Sequence, residues 1–282
     1  MGIRTDMAVE AHELSRGEAK EIEGVTLSSM EHGSIKRTVV DVINENGAKT
    51  INKMIGRYIT IDAPELKNSM DDYESVCKML SADLREMCGN CKNVLVIGLG
   101  NRAITPDALG GETVDKLLIT AHMKKHMPQV FDDSYSSVSA IAPGVMGTTG
   151  IETAEIIKGV TEYVKPDVII AIDALAGADI NRVTSSIQIA DTGIAPGSGV
   201  GNHRNGLNKE TLGVKVIAIG VPTVIAAELL GGESIPEEFR SLMVTTNDID
   251  AVIKRMSKTV ANGINMAMHK GITLRDLEEL VG

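Results

Sequence analysis

Short apolar runs and amphipathic stretches alternate along almost the whole chain. Apolar runs bounded by glycine or charged residues are typical of buried strands, and apolar positions three and four residues apart are typical of helices. Strands are predicted at 37–43, 56–62, 94–98, 138–142, 168–172 and 214–220. Helices are predicted at 69–87 with Ser69 as its cap, at 112–122 and 151–164, from about 223 after Pro222, and at 248–269 and 273–281. Residues 45–47 read as a turn.

This alternation of strands and helices predicts an α/β fold, built as a three-layer α/β/α sandwich around a mostly parallel sheet. The chain has 282 residues, which is between one large domain and two ordinary ones. No internal repeat or low-complexity segment divides it. The best late loop lies at 231–236, but one compact domain is the simpler interpretation.

The composition limits the possible function classes. Hydrophobic residues make up 43% of the chain but aromatic residues only 2%, so the core must be aliphatic. Few aromatic rings are available to stack on the bases of single-stranded nucleic acid. The formal net charge of −10 also opposes a surface that follows phosphates. We therefore expect no direct nucleic acid partner.

The amino terminus is charged, and no apolar run approaches the roughly 20 residues of a membrane helix. We therefore expect a cytoplasmic protein with no membrane partner. The chain has three cysteines, which fits a reducing compartment. Cys88 and Cys91 form a CxxC, but they follow a helical pattern instead of preceding one, so the helix dipole is oriented against a reactive thiol. We interpret them as thiols without chemistry.

Three other motifs are weaker than they look. Gly98, Gly100 and Ala103 have the GxGxxA spacing of a dinucleotide site, but Pro106 and an aspartate follow where helical amides should face phosphate. The sequence 191–193 spells the DTG of pepsin-like proteases, which are all-β and need two such aspartates. His122 and His126 are spaced as metal ligands would be, but a basic helix end accounts for them better. We expect neither a cofactor nor a metal site.

Two predicted strands each deliver an aspartate at their carboxyl end. The run VLVIGLGN is followed by RAITPDALGG, which places Asp107 just past a strand, and VIIAIDALAG places Asp173 directly at a strand end. Ligands of open parallel sheets bind in the crevice at the carboxyl ends of the strands. We therefore expect both carboxylates at one crevice, where a pair of them suggests acid and base chemistry.

Five blocks of sequence, in this order, carry a family resemblance: RTDMAVEAHE, VIGLGNRAITPDALG, SAIAPGVMGTTGIET, IIAIDALA and SIQIADTGIAPGSGVGN. Together they resemble the germination protease family of spore-forming bacteria, and the blocks span most of the chain. One departure is that the chain is shorter than the family pattern between its GVPT and LMVT segments.

The resemblance implies an endopeptidase that degrades small acid-soluble spore proteins at germination, in the spore core. It implies an α/β fold similar to hydrogenase maturation peptidases, and a homotetramer. The aspartates essential in the family lie in its TPDALG and IDALA blocks, which correspond here to Asp107 and Asp173.

The family is also made as zymogens that remove their own short leader at a bond where an acidic residue precedes an apolar one. Arg4–Ala8 fits that pattern, so the resemblance implies cleavage between Asp6 and Met7. Residues 1–6 would be the propeptide and residues 7–282 a single peptidase domain. An ordinary frayed amino terminus is the alternative.

A mechanism follows as a hypothesis. Two carboxylates within a few ångströms of each other share one proton, so that one activates water while the other polarises the scissile carbonyl. Candidate donors to the developing oxyanion lie in a glycine-rich loop, at Gly197, Ser198, Gly199 and Gly201, which is equally well a plain connection. Two other classes stay open: a metal-dependent maturation-type peptidase using the same carboxylates with a histidine, and a nucleotide-binding α/β protein.

Overall fold

A computed structural model of the chain describes residues 5–16, 21–67, 69–195 and 206–281. The strands within these ranges are β1 (Val25–His32), β2 (Ile35–Val42), β3 (Gly56–Asp62), β4 (Asn93–Gly98), β5 (Ser137–Ile141), β6 (Val168–Gly177), β7 (Ser186–Ala190), β8 (Lys215–Ala226) and β9 (Met243–Val244). The helices are α1 (Ala8–Arg16), α2 (Glu45–Ile51), α3 (Tyr73–Cys88), α4 (Leu109–Val114), α5 (Ala121–His126), α6 (Met146–Thr149), α7 (Thr153–Val164), α8 (Lys209–Leu212), α9 (Glu228–Gly231), α10 (Ile249–Met268) and α11 (Leu274–Leu280).

The strands form one mixed sheet in the order β1-β2-β3-β7-β8-β6-β4-β5, with β9 paired to β8. The strands β8, β6, β4 and β5 are mutually parallel and are called the parallel half below. The strands β1, β2, β3 and β7 are antiparallel and are called the antiparallel half. The two halves meet where β7 pairs antiparallel with β8.

Helices cover both faces of this sheet, because the strands of the parallel half alternate apolar side chains between the faces. On one face, Val96 and Ile170 share a cluster with Leu80 of α3 and Ile264 of α10. On the other face, Ile169 packs with Ile157 of α7. A further cluster there joins α1, α2 and the residue Leu175. The predicted α/β sandwich is confirmed.

Several predicted elements lie where the sequence pattern places them. The strand β3 has the predicted bounds, and β4, β5 and α7 agree within two residues. The closing helices α10 and α11 also agree. The helix α3 begins at Tyr73 instead of following Ser69, and β1 and β7 were not predicted as strands.

The predicted turn at 45–47 is wrong, because this segment is the first turn of α2. Asn44 is the N-cap, and its side chain accepts a hydrogen bond from the backbone N–H of Gly47 at 3.0 Å. An asparagine in that position satisfies an amide that the helix itself cannot pair. The residues that predicted a turn therefore mark the start of a helix.

The predicted helix at 112–122 is two helices, α4 and α5, with an irregular segment between them. The Oδ1 atom of Asn265 accepts a hydrogen bond from the N–H of Leu118 at 2.9 Å, and Thr120 bonds to β5 through its backbone and hydroxyl. These long-range partners take the backbone groups that a continuous helix would need.

Two strands are longer than predicted, and their extra residues shape the site. The strand β6 continues past Asp173 to Gly177, and β8 continues through Pro222 to Ala226 where a helix was expected. Pro222 is tolerated because it lies opposite Leu175, beside a shift in register between Leu175 and Ala176. Asp173 therefore lies inside a strand rather than at its end. Within the described ranges, no helix combines the length and apolar character needed to cross a membrane.

Candidate active site

Asp173 lies on β6 in the wall of a cleft of about 610 Å³. It pairs with Gly220 of β8 in the sheet register, and only 5% of its surface is exposed. Its Oδ1 atom accepts a hydrogen bond from the backbone N–H of Ala174 at 3.0 Å. Asp173 therefore has its carboxylate held by a backbone amide in the wall of this cleft.

Asp107 lies in a 3₁₀ turn, Thr105–Asp107, between β4 and α4. Its Oδ2 atom accepts a hydrogen bond from the N–H of Asn101 at 2.7 Å. The turn closes tightly over Gly100, which has a positive φ of 96° and whose missing Cβ would lie 2.1 Å from the carbonyl oxygen of Asp107. Only glycine fits there, so the GxGxxA spacing serves this close approach.

Asp107 follows the carboxyl end of β4, and Asp173 lies in the adjacent strand β6, one residue past the level at which β4 ends. Gly98 is in register with Ile172, and the N–H of Leu99 donates to the carbonyl of Ile172 at 2.8 Å, one residue before Asp173. The turn that carries Asp107 packs against both β6 and β8. The described lining of the cleft includes Asp173 but not Asp107, which lies in the turn before α4.

The first described residues of the chain lie in the same cleft as Asp173. Thr5 and Asp6 line it. The N–H of Asp6 donates to the carbonyl of Ala176 at 3.0 Å, and the N–H of Ala176 donates to Oδ2 of Asp6 at 2.9 Å. Met7 is fully buried. The predicted cleavage bond, Asp6–Met7, is thus docked against the strand that carries Asp173 instead of hanging free.

Two side chains that the sequence did not single out hold this segment. The ammonium of Lys53 donates to the carbonyls of Thr5 and Asp6, both at 2.9 Å. The side-chain amide of Gln188 donates to the carbonyl of Asp6 at 3.2 Å and accepts from the N–H of Ala8 at 2.6 Å. Burial lowers the pKa of Lys53, although the nearby Asp6 and Glu10 carboxylates oppose this.

Glu10 anchors the segment from the side of α1. It is buried, accepts hydrogen bonds from the backbone N–H groups of Ala178 at 2.7 Å and Asp179 at 3.1 Å, and also accepts from the hydroxyl of Thr5. Burial raises the pKa of Glu10, and these hydrogen bonds partly offset the effect. The amino-terminal segment is therefore fixed to the residues that follow β6.

One weak signal for these missed residues is visible in the sequence. Gln188 lies between two isoleucines at the centre of the strand SIQIA, a position where a buried amide needs partners. Lys53 had no signal, because it looks like any surface lysine after a helix. What places it is the left-handed Asn52 (φ 51°), which ends α2 and turns the chain toward the cleft.

Of the other candidates from the sequence, Thr192 and Gly193 of the DTG motif line the cleft. Gly197, Ser198, Gly199 and Gly201 lie outside the described residues. Asp191 of the DTG sequence accepts a hydrogen bond from the N–H of Arg57 at 2.8 Å and so ties the end of β7 to β3. Cys88 is the last residue of α3, one residue beyond the predicted end of this helix. Among the residues that the structure describes, no group of three or more His, Cys, Asp or Glu side chains is placed to hold a metal ion.

Comparison with known proteins places this chain in a class of peptidases. Residues 3–239 match the family model described as germination protease. The chain belongs to the germination protease family, and the predicted resemblance is confirmed.

Three relatives illustrate the match. A germination protease of Clostridium perfringens is 41% identical over 324 residues, covering 99% of each chain. One of Caldanaerobacter subterraneus is 41% identical, covering 100% of this chain and 98% of the relative. One of Bacillus subtilis is 47% identical over 243 residues, covering 83% of this chain and 66% of the relative. The first alignment is longer than the 282 residues of this chain, so that relative carries residues that this chain lacks.

Among solved structures, a NiFe hydrogenase maturation protease, HycI from Thermococcus kodakarensis KOD1, is similar. The TM-score is 0.38 at 18% sequence identity, covering 64% of this chain and 98% of that chain.

Proposed function

We propose that this germination protease is an endopeptidase that begins the degradation of small acid-soluble spore proteins in the spore core. We further propose that it is made as a zymogen that cleaves its own Asp6–Met7 bond, and that it works as a homotetramer. The observation that carries the zymogen proposal is the position of this bond, in the cleft that Asp173 lines.

The docking of the segment supports cleavage at this bond. A peptide bond is attacked only when its carbonyl is presented in an ordered, extended geometry. Asp6 is ordered by two hydrogen bonds to Ala176, and the residue on the other side of the bond, Met7, is packed in a cluster with Leu175 and Ala218. An acidic residue before the bond and an apolar one after it each have a defined place.

We propose that Asp107 and Asp173 share one proton and activate water between them, as an aspartic-type peptidase does. The ionised carboxylate takes a proton from water as the water oxygen adds to the scissile carbonyl carbon. The protonated carboxylate then gives its proton to the leaving amine as the C–N bond breaks. The support is that Asp173 lies in β6 one residue past the level at which β4 ends, and that the turn of Asp107, which follows β4, packs against β6.

The test is digestion of a small acid-soluble spore protein by the wild-type chain and by the Asp107→Asn and Asp173→Asn variants. Each amide keeps the size of the side chain but cannot exchange a proton as the carboxylate does. We expect wild-type cleavage and a loss in each variant of at least about 10³-fold. Retained cleavage in either variant overturns the carboxylate pair.

The leader proposal has its own measurement. Sequencing the amino terminus of the matured protein should show Met7 as the first residue. A matured protein that still begins at Met1 or Gly2 contradicts processing at this bond, and cleavage at another bond contradicts the docking argument.

A further inference from the structure

The two sides of the cleft are linked by the sheet register. Asp173 of β6 and Gln188 of β7 are both paired with Gly220 of β8, so the three residues form a row across the junction of the two sheet halves. Adjacent strands are about 4.8 Å apart, so the outer two backbones of this row are about 10 Å apart. Both outer side chains line the cleft. A peptide carbonyl between them is within reach of each.

In the structure, Gln188 binds the backbone carbonyl of Asp6 in this cleft. The oxygen of this carbonyl receives one hydrogen bond from the ammonium of Lys53 at 2.9 Å and one from the amide of Gln188 at 3.2 Å. Two donors on one carbonyl oxygen, one of them cationic, form the arrangement that stabilises an oxyanion. The same amide of Gln188 accepts from the N–H of Ala8, so it holds the chain on both sides of Met7.

The carboxylate of Asp6 explains why this carbonyl is available. In ordinary strand pairing, a neighbouring backbone carbonyl would accept the N–H of Ala176. Here the side chain of Asp6 accepts it instead, at 2.9 Å. The backbone carbonyl of Asp6 bonds to Lys53 and Gln188 instead. The acidic side chain before the bond therefore helps to keep the carbonyl of that bond in contact with these two donors.

We infer that Lys53 and Gln188 are catalytic residues that bind the carbonyl of the residue before the cleaved bond, in the leader and in protein substrates, and stabilise its developing negative charge. This inference rests on the proposed function. As water adds, the electron pair of the C=O double bond moves onto the oxygen between the two donors. When the C–N bond breaks, the pair returns and the amine leaves with the proton from the aspartate pair.

The experiment uses the full chain and follows removal of residues 1–6 by intact mass. Lys53→Met removes the cation at similar length, and Gln188→Glu removes the amide donor but keeps an acceptor for the N–H of Ala8. Each should slow self-cleavage by about 10²- to 10³-fold. Lys53→Arg should recover to within about tenfold of the wild type, because it restores a cationic donor.

Matched controls come from the same chain. Lys49→Met alters an exposed lysine in the last turn of α2, and Gln129→Glu alters an exposed glutamine. Both should process within about twofold of the wild type, since neither residue lines the cleft. Thermal melting of every variant shows whether it is folded. If Lys53→Met does not fold, Lys53→Arg and Gln188→Glu decide the matter.

A second readout separates chemistry from leader docking. Chains that have completed processing are assayed on a peptide with aspartate before an apolar residue. We expect kcat to fall by about 10²-fold or more while KM stays within about threefold, because the donors act mainly on the transition state. An unchanged kcat in both variants overturns the inference, since Lys53 and Gln188 would then only dock the leader. A wild-type chain that cleaves neither leader nor spore protein instead overturns the proposed function.

Discussion

The two halves of the sheet contribute differently to the cleft. The parallel half carries the two proposed catalytic aspartates, Asp107 in the turn after β4 and Asp173 in β6. The antiparallel half contributes Gln188 from β7, and Lys53 from the connection between β2 and β3. Under our proposals, the parallel half supplies the carboxylates that transfer protons, and the antiparallel half supplies the donors that bind the scissile carbonyl and stabilise its developing charge. The active cleft then lies at the junction because neither half contains all the groups.

The largest expected effect is a loss of activity, and two aspartates, one from each half of the sheet, test this division. Asp173→Asn, in the parallel half, should lower kcat/KM on a spore protein by at least about 10³-fold. Asp191→Asn, in the antiparallel half, should change it by less than about threefold, because the amide oxygen can still accept the N–H of Arg57. Equal losses in both variants, measured by steady-state kinetics, would break the comparison.

The next effect concerns the stability of the antiparallel half. Arg37 of β2 forms a salt bridge with Asp83 of α3 at 2.6 Å, and the Asp83 side chain is only 7% exposed. Arg37→Met should lower the free energy of unfolding by about 3 kcal/mol, because a buried carboxylate loses its partner. Arg57→Met removes a more exposed salt bridge to Asp41 and should cost less than about 1 kcal/mol. Urea denaturation of both variants measures the difference.

At the outer edge of the parallel half, His269 should make the stability of the protein depend on pH. This residue is fully buried against the carbonyl of Leu118, and burial lowers its pKa to about 4 from an ordinary value of 6.5. Between pH 4 and pH 6.5, the unfolded chain therefore binds a proton that the folded chain does not bind. Stability should fall as the pH drops from 6.5 toward 4, by on the order of 3 kcal/mol.

Replacement of this histidine gives the check. His269→Gln should flatten the dependence of the free energy of unfolding on pH over that range, whereas His126→Gln, at an exposed helix end, should leave it unchanged. Denaturation curves at several pH values are the measurement. An unaltered slope in His269→Gln would assign the acid sensitivity to other groups.

The smallest effect is at Gly220, between the two halves. A Cβ there would lie 2.4 Å from a methyl carbon of Leu175, so Gly220→Ala should cost about 1–3 kcal/mol. Gly159→Ala is the control, since a Cβ on this exposed residue of α7 meets nothing within 4 Å. That change should stabilise the protein by about 0.5–1 kcal/mol. If Gly220→Ala is neutral, the junction is looser than its packing indicates.

Local sequence determined much of this molecule. The apolar runs located β4 and the start of β6, since a strand buried on both faces must be almost continuously apolar. The blocks around Asp107 and Asp173 identified the family and its candidate aspartates before any coordinates. The pattern failed at residues 45–47 and at Pro222, because a cap and a strand irregularity use the same residue types as a turn and a helix start.

The tertiary structure alone decided which residues share the cleft. Gln188 faces Asp173 only because both pair with Gly220 across three strands, and strand order and register are properties of long-range packing. Lys53 reaches the carbonyl of Asp6 only because α1, α2 and β6 meet in one apolar cluster. The aspartates can be recognised from the local sequence around them. The donors come from distant segments, and they meet at one carbonyl only when the chain buries its apolar surface, so no short segment predicts their position.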